Sequence, residues 1–373
     1  MPKILQVSTR HNVGGISKLI IELLGDSSFE QVYATGRCEN NEKEYSFHLT
    51  SPFANAYSFT QISTLKRSIN FSDDLLTLLA LIKIIRQEKP DIIHTHMSKA
   101  GLLGRIASFL SFSQVKTVHS YHGHVLEGYF NKFFARMIIV LERFLGRFTD
   151  AFVFDGHKTL LEINNYRIKS RKNQQVILPG LIKNISDKNR NRVAHEKLQI
   201  LVVARIEKVK RIDLILEVAR NLSEKYPSLN YEIKIVGDGS LRQFFENQSI
   251  SELLPIEFVG WRDSVDEYYQ EANILLSTSD SEGTPLTFME AASFACPIVS
   301  TNVGSVADLI DDKMTGILCE KNAEAIASEI VNLWKSPTLL QEYSRNSLAK
   351  ASNEFTAEKF IKKHSELYNS LLT

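Results

Sequence analysis

Two glutamates with seven residues between them mark the stretch of this 373-residue chain whose residue types are best suited to chemistry. In "SDSEGTPLTFMEAASF" (279–294), Glu282 lies beside Gly-Thr-Pro and Glu290 lies in an apolar, helix-like run. A carboxylate accepts hydrogen bonds from two neighbouring hydroxyl groups, one on each oxygen. The pair therefore suits a ligand with vicinal hydroxyls, although a helix-dipole partner at Glu282 and a solvated helix residue at Glu290 would give the same pattern.

The residues between the two glutamates offer donors for a charged ligand. Proline favours the first turn of a helix, so a helix is predicted to begin near Thr284 and Pro285. The first amides of a helix have no partner within it. Those of Leu286 and Thr287 are therefore predicted to bind phosphate or sugar oxygens.

A basic segment upstream could neutralise the same ligand. In "VARIEKVKR" (203–211), Arg205 follows a strand-like apolar run and Lys210 comes five residues later. Arginine offers paired donors to phosphate, and lysine offers a point charge. A solvated basic loop, which would also contain Lys208 and Arg211, is the alternative interpretation.

A glycine pair near the N-terminus is a second candidate for anion binding. Gly14 and Gly15 follow the first predicted strand and open an amphipathic helix. Glycine lets a ligand approach the backbone, and free amides at a helix start attract anions. A turn that serves only tight packing is the alternative.

The elements around these residues alternate between strands and helices. The predicted strands are 3–8, 91–96, 115–120 and 150–155 in the first half, and 198–205, 231–237, 256–260, 272–278 and 297–301 in the second. Helical patterns lie between them, for example at 73–88 and 130–148. This alternation is typical of parallel α/β sheets. We therefore predict two Rossmann-like domains whose sheets face each other across a cleft, with a ligand at the carboxyl ends of the strands.

The domain boundaries follow from a polar, charged segment without clear periodicity. This segment, 181–197, is the predicted linker between an N-terminal domain at 1–180 and a C-terminal domain at 198–373. The terminal helix, at about 350–373, could pack on either domain, including back on the first.

Composition and charge argue against several classes of protein. The net charge of +1 gives no global case for nucleic-acid binding. The three cysteines have neither metal-ligand nor disulfide spacing, which favours a reducing compartment. No apolar run reaches the length of about 18–20 residues that a spanning helix needs. The expected location is therefore the cytoplasm, with peripheral contact with the membrane as an option.

The motifs together resemble the retaining GT-B glycosyltransferases of family 4, also called glycosyl transferases group 1. The segment "SEGTPLTFMEAASFACPIVSTNVG" carries the Glu-x7-Glu pattern, with Arg205 and Lys210 upstream, and "FVGWRDSVDEYYQEANILLS" fits between them. In the first half, "GGISKLI", "DIIHTHMSKAGLLGRIAS" and "VHSYHGHVLEGYF" resemble the bacterial polysaccharide and lipid-linked oligosaccharide members. The resemblance covers nearly the whole chain.

The resemblance implies a site for a nucleotide-sugar donor. Arg205 and Lys210 would neutralise the donor diphosphate, Glu290 would hold the ribose and Glu282 would face the sugar. Further contacts with the donor are implied at Gly15 near the phosphates, Gly260 and Trp261 at the base, Thr284, Leu286 and Thr287 at the helix start, and His122 beside the sugar. One departure is that Lys210 is followed by Arg211, where the family usually has glycine, which should stiffen this loop and add charge.

The implied reaction is retaining transfer of a hexose or N-acetylhexosamine from a UDP-sugar to a lipid-linked saccharide in bacterial surface polysaccharide biosynthesis. A GDP-mannose donor is the alternative. No metal or other cofactor is expected. Contacts with the acceptor are expected at His96, Lys99 and His124. A non-hydrolysing nucleotide-sugar epimerase and a non-catalytic nucleotide-sugar binding protein remain rival interpretations.

The helix-like segment 130–148 has a basic stripe. At about 100° per residue, Lys132, Arg136, Arg143 and Arg147 fall within about 60° of one another. The opposite side is predicted to hold Phe134, Met137, Leu141, Phe144, Leu145 and Phe148. Two interpretations remain open: a core helix with a solvated basic face, or a helix that docks on an anionic membrane.

Overall fold

The computed structural model of this chain describes residues 1–12, 14–39, 56–123, 132–180 and 196–373. It divides into two compact units, Met1–Leu181 with Ala357–Thr373 and Ile182–Thr356. Most of the predicted linker, residues 181–195, lies outside the described residues.

In the first unit, the described residues form a sheet of seven parallel strands. These are β1 (Lys3–Ser8), β2 (Glu30–Thr35), β3 (Tyr57–Gln61), β4 (Ile92–His96), β5 (Lys116–Tyr121), β6 (Ala151–Phe154) and β7 (Asn173–Val176). Their order across the sheet is β3-β2-β1-β4-β5-β6-β7. The chain runs outward from β1 in one direction and from β4 in the other. The boundary between β1 and β4 is therefore the switch point beside which ligands bind in such sheets.

Helices cover both faces of this sheet. They are α1 (Gly15–Leu24), α2 (Phe71–Glu88), α3 (Ser98–Leu110), α4 (Lys132–Gly146) and α5 (His157–Asn165). Strand residues alternate between the two faces, as the period of two requires. Ile4 packs with residues of α1, whereas Leu5 and Val7 pack with residues of α2 and α3.

In the second unit, the described residues form a sheet of six parallel strands. These are β8 (Leu198–Val203), β9 (Tyr231–Val236), β10 (Ile256–Gly260), β11 (Ile274–Ser277), β12 (Ile298–Thr301) and β13 (Gly316–Cys319). Their order is β10-β9-β8-β11-β12-β13. Here the switch point lies between β8 and β11, the two strands that lead into the basic segment and into the Glu-x7-Glu stretch.

The helices of the second unit follow its strands. They are α6 (Ile212–Lys225), α7 (Arg242–Ser251), α8 (Asp266–Glu271), α9 (Leu286–Ser293), α10 (Ala323–Lys335) and α11 (Pro337–Glu354). A short 3₁₀ helix, Lys208–Lys210, precedes α6. The core is built mainly from β8, β9, α6 and α10, which surround fully buried side chains such as Leu216 and Ile330.

The terminal helix α12 (Ala357–Leu372) belongs to the first unit. Its buried residues Phe360, Leu367 and Tyr368 pack in the same cluster as Ile4 and residues of α1. Its neighbour α11 stays with the second unit. Among the described residues, no helix is both long and apolar enough to cross a membrane.

Candidate functional site

The basic segment and the first glutamate of the Glu-x7-Glu pattern are in direct contact. Lys210 Nζ lies 2.6 Å from Glu282 Oε1. Ser279 Oγ donates to the same oxygen at 2.6 Å. Although 72 positions separate Lys210 and Glu282 along the chain, both follow the carboxyl ends of neighbouring strands, β8 and β11. The sheet topology therefore assembles this pair.

Hydrogen bonds also fix the two loops to each other. The Asp280 amide donates to the Val209 carbonyl at 2.8 Å. Thr278 Oγ1 lies within hydrogen-bonding distance of the carbonyls of Lys210 and Arg211, at 3.2 and 3.0 Å. The backbone around Lys210 is thus held by the loop that carries Glu282.

A pocket of the second unit opens beside this pair. Its lining comes from the ends of β8 and β11 and the start of α9, with Lys210 and Glu282 in the wall. Arg205 lies just beyond the end of β8 and is exposed. Within the described part of the chain, its guanidinium has no hydrogen-bond or ion-pair partner. The basic segment thus keeps the Arg205 guanidinium available for an anionic ligand.

Arg211, the departure from the family pattern, has an unusual backbone. Its φ of 50° and ψ of 51° lie in the left-handed region, which glycine adopts at little cost. Its side chain is bound to Asp213 and to Asp280, at 2.8 and 3.2 Å. The expectation of added charge in the loop is therefore modified, because neighbouring carboxylates bind this guanidinium.

Asp280 forms ion pairs with both Arg211 and Lys321. Burial acts to raise the pKa of its carboxyl, but hydrogen bonds from Lys321 and Arg211 outweigh that effect and lower the pKa below its ordinary value. Because Asp280 precedes Glu282 by two residues, the ion pairs also anchor the loop that carries Glu282.

Two substitutions at Arg211 distinguish the cost of its left-handed backbone conformation from the loss of its ion pairs. Both Arg211→Gly and Arg211→Ala remove the contacts with Asp213 and Asp280, but only glycine adopts a positive φ without strain. We expect the glycine variant to be more stable than the alanine variant by about 1 kcal/mol. Urea unfolding of the two variants measures this difference, and equal midpoints would contradict the backbone argument.

The helix that follows Glu282 begins slightly later than predicted. Pro285 precedes the helix, and α9 starts at Leu286. The amides of Leu286 and Thr287 lie in its first turn, where no intrahelical partner exists. Its first turn contains no acidic residue. This helix start thus suits an anionic group, and Thr287 also lines the pocket.

Glu290 is oriented by a residue that the sequence analysis did not identify. The Tyr269 hydroxyl donates to Glu290 Oε2 at 3.0 Å. Tyr269 is fully buried. Burial, together with the nearby Glu290 charge, raises the pKa of Tyr269 well above its ordinary value, so the phenol stays protonated as a donor. One carboxylate oxygen of Glu290 is therefore fixed in place.

Gly304 is a second residue without an obvious sequence signal. Its φ of 59° is positive, and a Cβ at this position would collide with the backbone carbonyl of Glu282. The next residue, Ser305, donates its amide to the Gly283 carbonyl at 3.3 Å. The loop after β12 therefore packs directly against the Glu282 loop and supports it.

The remaining predicted donor contacts of the second unit lie at the end of β10. Gly260 ends this strand with a φ of 83°. Trp261 follows it and is half exposed, with its indole nitrogen 3.4 Å from an Asp263 carboxylate oxygen. The role of Gly260 and Trp261 in holding the base stays a prediction.

In the first unit, the predicted residues lie at the carboxyl edge of the sheet. Gly15 begins α1, as expected from the glycine pair. His122 directly follows β5, and its Nε2 lies 3.1 Å from His96 Nδ1. His96 is buried and bonded through both ring nitrogens. His124 lies outside the described residues.

Two of the predicted acceptor contacts, Lys99 and His96, are bonded within the first unit, and their role toward an acceptor stays a prediction. Lys99 binds Asp74 of α2 and the Ser68 carbonyl, so its ammonium ties α3 to α2. His96 is 2% exposed and supports His122. Among the described residues, no group of three or more metal-ligating side chains could hold a metal ion.

The apolar side of α4 differs from the prediction, whereas Arg136, Arg143 and Arg147 of the basic stripe are exposed as expected. Leu145 is buried as expected, but Phe134, Met137 and Phe144 are 49–52% exposed. The inward side instead contains Glu142, which forms a bidentate ion pair with buried Arg105 at 2.7 and 2.8 Å. The sheet therefore covers a different arc of this helix from the one that hydrophobicity alone suggested.

Comparison with known proteins agrees with the two-sheet fold and with the motifs described above. The family described as "Glycosyltransferase Family 4" matches residues 37–181, and "Glycosyl transferases group 1" matches residues 184–350. Together they span most of the chain. The chain belongs to the glycosyltransferases that these two family models describe. Its two parallel-sheet units have the GT-B architecture.

Individual relatives span most of the chain as well. A UDP-Gal:α-D-GlcNAc-diphosphoundecaprenol α-1,3-galactosyltransferase of Escherichia coli is 25% identical over 82% of this chain and 82% of its own length. The capsular polysaccharide biosynthesis glycosyltransferase CapM of Staphylococcus aureus is 25% identical over 83% and 84%. The crystal structure of HepE from Anabaena in complex with UDP matches with a TM-score of 0.80, at 16% identity over 99% of this chain and 100% of that one.

Proposed function

We propose that this protein transfers a hexose or N-acetylhexosamine from a UDP-sugar to a hydroxyl group of a lipid-linked saccharide in bacterial surface polysaccharide biosynthesis. The observation that carries the proposal is the Lys210–Glu282 pair beside the start of α9. It combines a cation and free amides for a diphosphate with a carboxylate for sugar hydroxyls. The Escherichia coli relative is named for a GlcNAc-diphosphoundecaprenol acceptor, which supports the acceptor class, and the Staphylococcus aureus relative is named for capsular polysaccharide biosynthesis, which supports the process.

The main barrier to such a transfer is charge separation at the sugar–phosphate bond. Negative charge grows on the leaving diphosphate, and fixed donors aimed at it lower the barrier. Arg205, Lys210 and the amides of Leu286 and Thr287 supply these donors. Glu282, held by Ser279 as well as Lys210, keeps its position when Lys210 turns toward the phosphate. We propose that these protein groups suffice without a metal ion.

Retention of the anomeric configuration is part of the proposal. The acceptor hydroxyl attacks from the face that the diphosphate leaves, and a phosphate oxygen takes its proton. The family resemblance supports this step. Proton NMR of the product distinguishes the two anomers. A product with the inverted configuration would contradict retention but would leave the glycosyl transfer itself intact.

Glu290 is proposed to hold the two ribose hydroxyls of the nucleotide. In Glu290→Gln one charged acceptor becomes an amide, and hydrogen bonds to charged groups contribute about 1.5–3 kcal/mol. We therefore expect UDP affinity to fall at least about tenfold. Calorimetric titration with UDP and with inorganic pyrophosphate measures this, because pyrophosphate lacks ribose and should bind both proteins equally. An equal loss for both ligands would contradict the ribose assignment.

The exposed face of α4 is proposed to dock on an anionic bilayer that holds the acceptor. Arg136, Arg143 and Arg147 are exposed, and Val140 and Phe144 lie beside them, 63% and 49% exposed. Apolar side chains next to a basic stripe match the headgroup region of an anionic membrane. The observed exposure makes the apolar side available to lipid.

Charge reversal tests this surface. Each basic residue near an anionic bilayer contributes about 1 kcal/mol, so Arg136→Glu with Arg147→Glu should lower partitioning onto phosphatidylglycerol vesicles at least about tenfold. The matched control is Lys362→Glu with Lys363→Glu on α12, which packs on the opposite sheet face, with Ala151 and Val153. Co-sedimentation measures both, and equal partitioning of the two double variants would contradict the proposed surface.

The donor can be identified by a thermal-shift screen against UDP-sugars and GDP-sugars, followed by mass analysis of the product on a short-chain lipid diphosphate saccharide. A mass increase of one hexose or N-acetylhexosamine, with UDP released, supports the proposal. Conversion of the nucleotide sugar without acceptor would indicate an epimerase. Binding of the nucleotide sugar without turnover on such acceptors would favour the non-catalytic alternative.

A further inference from the structure

Two histidines face each other where the terminal helix α12 packs on the first sheet. The rings of His94 on β4 and His364 on α12 have their centroids 5.7 Å apart and are stacked, with their planes at 30°. Each side chain is at most 2% exposed. One ring belongs to the sheet and the other to the helix, so separation of α12 from the sheet would expose both rings to water together.

Uncharged groups supply the hydrogen bonds of both rings. His94 Nδ1 lies 2.7 Å from the Tyr368 hydroxyl of α12, and His94 Nε2 lies 2.7 Å from Ser120 Oγ of β5. His364 Nδ1 donates to the Phe360 carbonyl at 2.9 Å. A neutral imidazole has one N–H donor and one nitrogen lone pair, and a hydroxyl group can both donate and accept. These contacts therefore satisfy neutral rings without any counter-ion.

Both rings are neutral at pH 7 in the packed structure. Burial lowers the pKa of His364 to about 4, and the hydrogen bond to the Phe360 carbonyl opposes only part of this effect. Burial also lowers the pKa of His94 well below its ordinary value, and the neighbouring His96 and His364 add to the decrease. The His94 and His96 rings lie on the same strand, with centroids 4.1 Å apart. A proton on any one of these rings would therefore repel a proton on the next.

The ionisable groups of the surrounding elements do not compensate for this burial. His119 on β5 and His122 after it lower the pKa of His94 further. Other ionisable groups lie on α1, in the turn after it and on α12; they are Glu22, Asp26, Lys359 and Lys363. Asp26 accepts from Ser365 Oγ of α12. Among the residues that the structure describes, burial and one backbone hydrogen bond account for the shift in the pKa of His364, so no carboxylate offsets the cost of charging that ring.

We propose that His94 and His364 make the packing of α12 on the first sheet sensitive to acid, so that mild acidification releases this helix while the sheet stays folded. Histidine in water has a pKa of about 6.5, so below that pH the released state binds protons that the packed state excludes. The packing is therefore fully stable above about pH 6.5 and weakens as the pH falls from there toward about 4. The inference goes beyond the proposed glycosyl transfer, and its test needs no substrate.

Hydrogen exchange of the full chain measures the release of α12 directly. Each of the two rings favours the released state about tenfold more at pH 5.5 than at pH 7.5, so the protection of the α12 amides should fall about 10²-fold between these conditions, after correction for intrinsic exchange rates. The amides of β4 and β5 should keep their protection, and the loss in α12 should reverse when the pH is restored. An equal loss of protection in α12 and in these strands would mean unfolding of the whole unit and would overturn the proposal.

Two variants assign the effect to these rings. His364→Phe keeps an aromatic ring but removes one titrating group, so the loss of α12 protection between the two pH values should shrink to about tenfold. His94→Gln keeps a polar side chain for Ser120 and Tyr368 and should show the same reduction, which provides the test if the phenylalanine packs poorly. The matched control is His157→Gln on α5, whose exposed ring should leave the wild-type pH dependence unchanged. A wild-type pH dependence in both His364→Phe and His94→Gln would overturn the inference.

Discussion

Lys210→Ala is expected to lower kcat by about 10²–10³-fold, the range measured when one preorganised donor to a developing negative charge is removed. Two losses combine in this variant. The leaving diphosphate loses a cation, and Glu282, which is only 9% exposed, keeps Ser279 as its hydrogen-bond donor but loses its counter-ion. Steady-state kinetics with the donor and acceptor identified by screening measure the effect.

Lys208→Ala is the matched control for this variant. Lys208 lies on the same 3₁₀ helix as Lys210, but its side chain is exposed. The variant loses the same charge at nearly the same place, so long-range electrostatics change equally. We expect its kcat to stay within about twofold of the wild type, because a screened, exposed charge contributes little. Similar losses in the two variants would show that bulk charge, rather than the Lys210 position, drives turnover.

Arg105→Met is expected to destabilise the first unit by about 3–5 kcal/mol, the cost of leaving a buried charge without its partner. Arg105 joins α3 to α4 through its two bonds to Glu142, which also accepts from the Tyr121 hydroxyl at 2.7 Å. Methionine fills similar space without charge and leaves the Glu142 carboxylate buried. Chemical denaturation followed by circular dichroism measures the loss.

The double variant Arg105→Met with Glu142→Leu tests whether the unpaired Glu142 charge causes the instability of Arg105→Met. Removing both charges should recover most of the lost stability, since a buried pair is often replaceable by apolar residues. The pH dependence gives a second check. Burial acts to raise the pKa of the Glu142 carboxyl, but Arg105 outweighs this effect and lowers the pKa. The greater stability of the wild type over Arg105→Met should therefore be lost as pH falls through that lowered pKa. A double variant as unstable as Arg105→Met would contradict the ion-pair explanation.

Apolar patterns predicted most strands of both sheets, but the interior strand β2 and the edge strands β3, β7 and β13 were not predicted. The strands at 3–8 and 256–260 were predicted with their observed bounds. The edge strand β3 is mostly exposed, and β7, with the sequence NQQV, has almost no apolar residues. Such strands form because a neighbouring strand offers hydrogen bonds, which their own side chains do not signal.

The orientation of α4 shows a second limit of sequence analysis. A helical wheel shows which side chains share an arc, but it does not show which arc packs on the sheet. Here the buried Glu142 is satisfied by Arg105 and Tyr121, two partners distant along the chain. A buried charge with distant partners has no local pattern, so the wheel favoured the wrong inward face.

The candidate site was predicted better in its residues than in its contacts. Motif spacing identified Lys210, Glu282 and Glu290 as candidates, but the Lys210–Glu282 contact depends on the order of β8 and β11 in the sheet. Tyr269, the partner of Glu290, comes from a helix that no chemical motif marks. The order of strands in a sheet and the contacts of single supporting side chains depend on the tertiary structure. The spacing of residues within a motif does not show them.

The position of UDP in a crystal of the complex tests the central claim most directly. The account predicts the diphosphate against Lys210, Arg205 and the amides of Leu286 and Thr287, with both ribose hydroxyls on Glu290. UDP bound elsewhere on the second unit, or a diphosphate that touches none of these groups, would contradict the account.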